Sequence, residues 1–151
     1  MIVGAQKAGT TSLFRYLAGH PGLAAHPQRE MPYFLVDELY AAGYEAAFEK
    51  YFGVGGDSGR LPLAKHVMAM YSQKAVDRLR GHNPEVRVVA VLRNPAERAR
   101  SAYLYARRRG WEPLPTFEAA LRAEPQRLAA EGWEHWRQCA YARNGQYLEP
   151  V

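Results

Sequence analysis

The chain has 151 residues, 48% hydrophobic and 23% charged, with a formal charge of +5. This excludes a disordered or fibrous protein, is expected to form a single domain over residues 1–151, and favours an anionic ligand without choosing which. The one cysteine, Cys139, excludes an intrachain disulfide framework and reads as a small buried residue on a helix.

No run reaches the ~18 apolar residues of a membrane span, and no basic segment with a long apolar core opens the chain. A soluble, cytoplasmic protein with no membrane contact is therefore expected. Met1-Ile2-Val3 reads as a strand, Gly4 to Thr11 as a loop, and Ser12 to Leu17 as a helix ending near Gly19-His20-Pro21-Gly22. Gly4 and Gly9 have the spacing of an ATP-type P-loop, whose backbone N–H groups close around phosphate at a helix N-terminus. Here, however, the lysine is Lys7, inside the loop, and Thr10 stands where an ATP-binding loop places its lysine.

Leu23 to Pro32 is proline-rich and reads as loop, carrying His26, Arg29 and Glu30. Tyr40, Tyr44, Phe48, Tyr51 and Phe52 recur at helical spacing, which predicts an amphipathic helix packed on the core and ending before Gly53. Leu61 to Met70 reads as a short buried strand presenting Lys65 and His66. A helix follows over Ser72 to Arg80, stopped by Gly81 and Pro84.

Val86 to Leu92 is the clearest buried strand, as a central parallel strand should be. Asn94-Pro95 offers an N-cap with proline at the first helical position, opening a helix through about Arg109. Thr116 to Leu148 reads as two or three helices, with Thr116 and Glu118 near the start and Gly132 and Gly145 near breaks. Three strands alternating with helices predict an α/β fold with a parallel sheet flanked by helices.

Two segments are suited to hold anions. Lys7, Ala8, Gly9, Thr10, Thr11 and Ser12 supply N–H groups, hydroxyls and a mobile cation. Arg93 leaves the carboxyl end of the clearest strand, where ligands of open α/β sheets collect, and Ser101 lies about two turns into the next helix. Alone, Arg93 reads equally well as a surface ion pair with Glu97; beside the Lys7 loop, the anion site is the stronger reading.

Over Met1 to Leu17 and Val86 to Gly110 the chain resembles the sulfotransferases that use 3′-phosphoadenosine 5′-phosphosulfate (PAPS), and the second stretch is similar to bacterial and Golgi-type carbohydrate members. The resemblance implies a P-loop-like three-layer fold, here lacking the family's last strand and late basic loop, so that the chain reads as the N-terminal part of the domain. It implies that Lys7, Ala8, Gly9, Thr10, Thr11 and Ser12 hold the 5′-phosphosulfate and that Arg93 and Ser101 hold the 3′-phosphate. Lys7 would neutralise the leaving oxygen.

Arg29-Glu30-Met31-Pro32-Tyr33-Phe34 resembles the Golgi-type segment whose glutamate is the base, which ranks Glu30 above His66. Lys65-His66 matches the cytosolic lysine and histidine only with the spacing off by one, and Lys65 stands as a second cation for the sulfuryl group. PAPS is the expected donor, without a metal, and a small-molecule or carbohydrate hydroxyl or amine the expected acceptor, with no nucleic acid. The sequence does not set the oligomeric state. The rivals are a P-loop kinase or NTPase, which would need lysine at position 10 and an acidic metal ligand where Arg93 stands, and a basic nucleic-acid-binding module built on Arg98, Arg100 and Arg107 to Arg109.

Overall fold

The computed structural model describes residues 1–26, 28, 30–53 and 59–147. They form two compact units, one from Met1–Gly4 and Gly9–Val91, the other from Ala5–Ala8 and the described residues 92–147.

In the first unit, β1 (Ile2–Gly4) pairs in parallel with β4 (Val89–Val91), with Ile2 opposite Val89 and Gly4 opposite Val91. Strands β2 (Leu23–Ala25) and β3 (Leu61–Leu63) form a second parallel pair, Leu23 opposite Leu61. A bridge between Ile2 and Lys65 continues the chain of β3 beside β1, with Ile2 N–H donating to Ala64 O at 2.8 Å and His66 N–H to Ile2 O at 3.0 Å. Helix α1 (Thr10–Ala18) lays Leu13, Phe14 and Leu17 on this sheet, around a core of Ile2, Phe14 and Leu63. Positions i, i+1 and i+4 share one helix face, which is why Arg15 and Tyr16 are left exposed.

Only glycine fits at position 4, where a Cβ would lie 2.3 Å from Val91 O. The close approach of β1 to β4 therefore depends on a missing side chain.

Several elements differ from the sequence reading. The described residues form four strands where three are predicted, because β2 lies inside the stretch read as loop. Its two alanines carry little β signal, and its partner β3 is remote in sequence, so only the tertiary pairing creates it. Strand β3 ends at Leu63, and Val67–Tyr71 is a 3-10 turn rather than strand.

The aromatic stripe is divided between α2 (Asp37–Ala41) and α3 (Tyr44–Phe52) at Gly43, whose φ is 90°. Of its five rings only Tyr51 is buried in the core; Tyr40 lies against Tyr33 with ring centroids 5.3 Å apart and Phe48 stacks on Phe52 at 4.8 Å, so the stripe packs largely on neighbouring rings rather than wholly on the core. Helix α4 (Gln73–His82) starts on a Ser72 cap and runs through Gly81, since one glycine costs only ~1 kcal/mol in a helix and does not end it.

Strand β4 is shorter than Val86 to Leu92 and is not a buried central strand. Val89 is 44% and Leu92 49% exposed. An apolar run encodes a capacity for burial, but among the described residues β1 is the only strand that pairs with β4.

The second unit is helical. Helix α5 (Pro95–Arg109) begins where Asn94 Oδ1 accepts from Ala96 and Glu97 N–H at 3.1 and 3.2 Å, as the Asn-Pro signal predicts. Helix α6 (Phe117–Trp136) starts on a Thr116 cap and breaks at Gly132, whose φ is 77°. Ala99, Ala102 and Ala106 make a small-residue face on α5 that packs with Tyr103, Ala120, Cys139 and Tyr141. Cys139 is buried as expected, but it lies in a turn after α6 rather than on a helix.

Candidate functional site

The chain leaves β1 at Gly4 and enters α1 at Thr10. Between them Ala8 N–H donates to Ala5 O at 3.0 Å, closing a turn, and Lys7 is the one residue other than glycine with positive φ among the described residues, at 71°. Gly9, with φ of 98°, opens α1, and the N–H groups of Ser12 and Leu13 donate back to its carbonyl. No side chain caps this first turn and no acidic residue lies in it, so the positive helix end is not neutralised locally. Thr10 is buried, Thr11 half-buried and Ser12 exposed.

Arg93 lies two residues past the end of β4. Its Nη1 donates to Lys7 O at 3.4 Å, which joins the two sequence motifs within the second unit. Its Nε and Nη2 both donate to Glu97 Oε2 at 3.1 Å, so the ion pair weighed in the sequence is also present. An exposed pair of this kind contributes ~0–1 kcal/mol, which a doubly charged phosphate can outcompete. Ser101 is half-buried on α5, about 9 Å of helical rise beyond Pro95, where the helix begins. The carbonyl of Arg93 accepts from Tyr147 Oη at 3.0 Å, a tether for which the sequence holds no local signal.

The first unit carries Glu30, Lys65 and His66. Lys65 is 1% exposed and forms an ion pair with Glu30 Oε1, while Glu30 Oε2 accepts from Val67 N–H at 3.0 Å. Burying an ammonium is costly unless it is paired, so the carboxylate compensates the lysine. The Glu30 side chain itself remains 30% exposed, whereas His66 is 6% exposed.

His26 lies between Phe14, Tyr51 and Phe52, with ring centroids 5.1, 5.6 and 5.8 Å away. Burial, and then the charge of Lys65, lower its pKa against a weaker upward pull from the Gln28 backbone. Arg29 lies outside the described residues. Sequence reasoning did not single out Tyr105, whose ring lies beneath the Lys7 ammonium; its position four residues after Ser101 on one helix face is the signal that could have found it.

Parallel strands, flanking helices and a glycine-bracketed loop running into an uncapped helix define a P-loop-like α/β fold. No family model matches the chain. It is 31% identical over 106 residues to mouse heparan sulfate glucosamine 3-O-sulfotransferase 6, a match covering 68% of this chain and 29% of that protein. It is 29% identical over 109 residues to the membrane-associated sulfotransferase kil1 of Dictyostelium discoideum, covering 70% of this chain and 22% of the relative.

The crystal structure of a sulfotransferase from Alicyclobacillus acidocaldarius superposes with a TM-score of 0.71 at 29% identity, covering 97% of this chain and 66% of that one. The chain belongs to the sulfotransferases. It spans less than a third of the two curated relatives' length.

Proposed function

We propose that the protein transfers a sulfuryl group from PAPS to a hydroxyl or amine of a carbohydrate or small-molecule acceptor. The observation that carries this reading is the contact of the Arg93 guanidinium with the Lys7 carbonyl, which joins the cation-bearing loop to the second basic motif. Residues 7 to 12 would hold the 5′-phosphosulfate, and Arg93 with Ser101 the 3′-phosphate.

In the reaction the acceptor oxygen or nitrogen forms a bond to sulfur as the bond from sulfur to the 5′-phosphate oxygen breaks. The acceptor proton passes to a base, and adenosine 3′,5′-bisphosphate leaves. Lys7 neutralises charge at the leaving oxygen, as transfer of such groups demands. Glu30 takes the proton: its carboxylate is oriented by Lys65 and Val67 and keeps an exposed face, which favours it over the buried His66. Lys65 positions Glu30 in this scheme. A carbohydrate acceptor is supported by the heparan sulfate sulfotransferases among the relatives.

The kinase reading is weakened by Thr10 and Arg93, which occupy the places of its lysine and acidic metal ligand. Equilibrium binding separates the alternatives. Adenosine 3′,5′-bisphosphate is expected to bind without magnesium and more tightly than ATP, and Lys7→Ala and Arg93→Ala each to weaken it by roughly tenfold or more, the scale of a lost charge-assisted contact. Glu30→Gln is expected to retain that affinity while abolishing sulfuryl transfer from labelled donor by the full-length protein. A preference for ATP with magnesium would overturn the reading.

A further inference from the structure

The Lys7 side chain has a partner that the chemistry above does not use. Its Nζ lies 4.7 Å from the centroid of the Tyr105 ring, inside the ~6 Å over which an aromatic face attracts a cation. The ring is itself held. Trp111 meets it edge-on with centroids 5.6 Å apart, and the Arg109 guanidinium lies 5.4 Å from Tyr105 and 6.0 Å from Trp111.

At its other end, Lys7 is fixed through the backbone, with a left-handed φ of 71° and a carbonyl that accepts from Arg93. A flexible four-carbon side chain is thus restrained at both the Cα and the ammonium. All these residues belong to one unit.

We propose that Tyr105 is a positioning residue for Lys7, its ring face ordering the ammonium before a donor arrives. An anion then binds without having to immobilise a freely rotating lysine, and the saved ordering cost appears as affinity. The proposal rests on the reading of Lys7 as the donor's cation.

Two substitutions separate the ring from the bulk of the side chain. Tyr105→Phe keeps the aromatic face and Tyr105→Leu removes it. In the donor-free protein, the Lys7 Cε protons are expected to be shielded by the ring current in wild type and Tyr105→Phe, and to move to ordinary lysine shifts in Tyr105→Leu.

Affinity for adenosine 3′,5′-bisphosphate is expected to stay within about twofold in Tyr105→Phe and to fall roughly two- to fivefold in Tyr105→Leu, with no further loss when Tyr105→Leu is added to Lys7→Ala. Unshielded Lys7 protons in wild type would overturn the proposal. So would a gain in affinity in Tyr105→Leu, which would make the ring a competitor of the donor, or an undiminished loss in the Lys7→Ala background. Shielded protons with unchanged affinity in Lys7→Ala would instead overturn the donor role of Lys7 and the proposal with it, so the two failures differ in the spectrum.

Discussion

In the unit built on β1 to β4, the buried charge is Lys65, and the carboxylate facing it, Glu30, accepts two hydrogen bonds among the described residues, from Lys65 and from Val67 N–H. In the helical unit Arg98, Glu112 and Glu124 are the buried charged residues among those described, and the Glu112 side chain is fully buried. It accepts from Arg127 Nη1 and Nη2 at 2.8 and 3.0 Å, from Leu114 N–H at 2.8 Å and from Tyr141 Oη at 3.0 Å. A carboxylate offers about four acceptor positions. Glu112 has filled them and has nothing left for a ligand, whereas Glu30 keeps capacity on an exposed face. The contrast separates a carboxylate that holds a fold together from one that can take part in chemistry.

Removing Glu112 should have the largest effect on stability. Burial would raise its pKa, but Arg127, Leu114 N–H and Tyr141 together hold it below the ordinary carboxyl value. Glu112→Ala is expected to cost about 3–5 kcal/mol in urea unfolding, because it removes the acceptor of the half-buried Arg127 guanidinium, of Leu114 N–H and of the Tyr141 hydroxyl at once. A loss below about 1 kcal/mol would erase the contrast between the two carboxylates.

A different dependence holds β1 against β4. Gly4→Ala drives a Cβ into Val91 O and is expected to lose about 1–3 kcal/mol from overpacking, together with strain at a φ of 133°. Wild-type stability in that variant would show that the strand pair separates freely.

The smallest effect is expected at His26, and it depends on pH. Its pKa in the folded protein is lowered, so the imidazole stays neutral there while the unfolded chain takes up a proton below about pH 6.5. The unfolded state then binds more protons, and stability falls as pH drops below that point toward the folded value, by at most about 1.4 kcal/mol per pH unit. His26→Phe should flatten the change in urea midpoint between pH 7.5 and 5.5. An unchanged slope would assign that acid sensitivity to other groups.

Much of the architecture is legible along the chain because it is local. The Asn94-Pro95 start of α5, the Thr116 cap of α6, the Ser72 start of α4 and the glycine-bracketed loop each depend on neighbours within a few residues. The missed strand β2 and the division of the aromatic stripe depend on partners far away or on one glycine's φ.

The candidate site divides in the same way. Lys7, Thr10 to Ser12, Arg93 and Ser101 stand out by spacing. The burial of Lys65 against Glu30, the Arg93 contact with Lys7 and the ring beneath its ammonium do not, since no residue spacing states which side chains meet across 35, 86 or 98 positions.

Amino-acid order alone determined the alternation of strands and helices, the loop that runs into an uncapped helix, and the positive residues that follow the first and last strands. Those features arise from hydrogen bonding and backbone preference over a few residues. Tertiary structure alone decided which carboxylate is saturated and which stays open, and where the Lys7 ammonium rests. Those outcomes depend on desolvation and on distance through space, and both are set only when remote segments pack together.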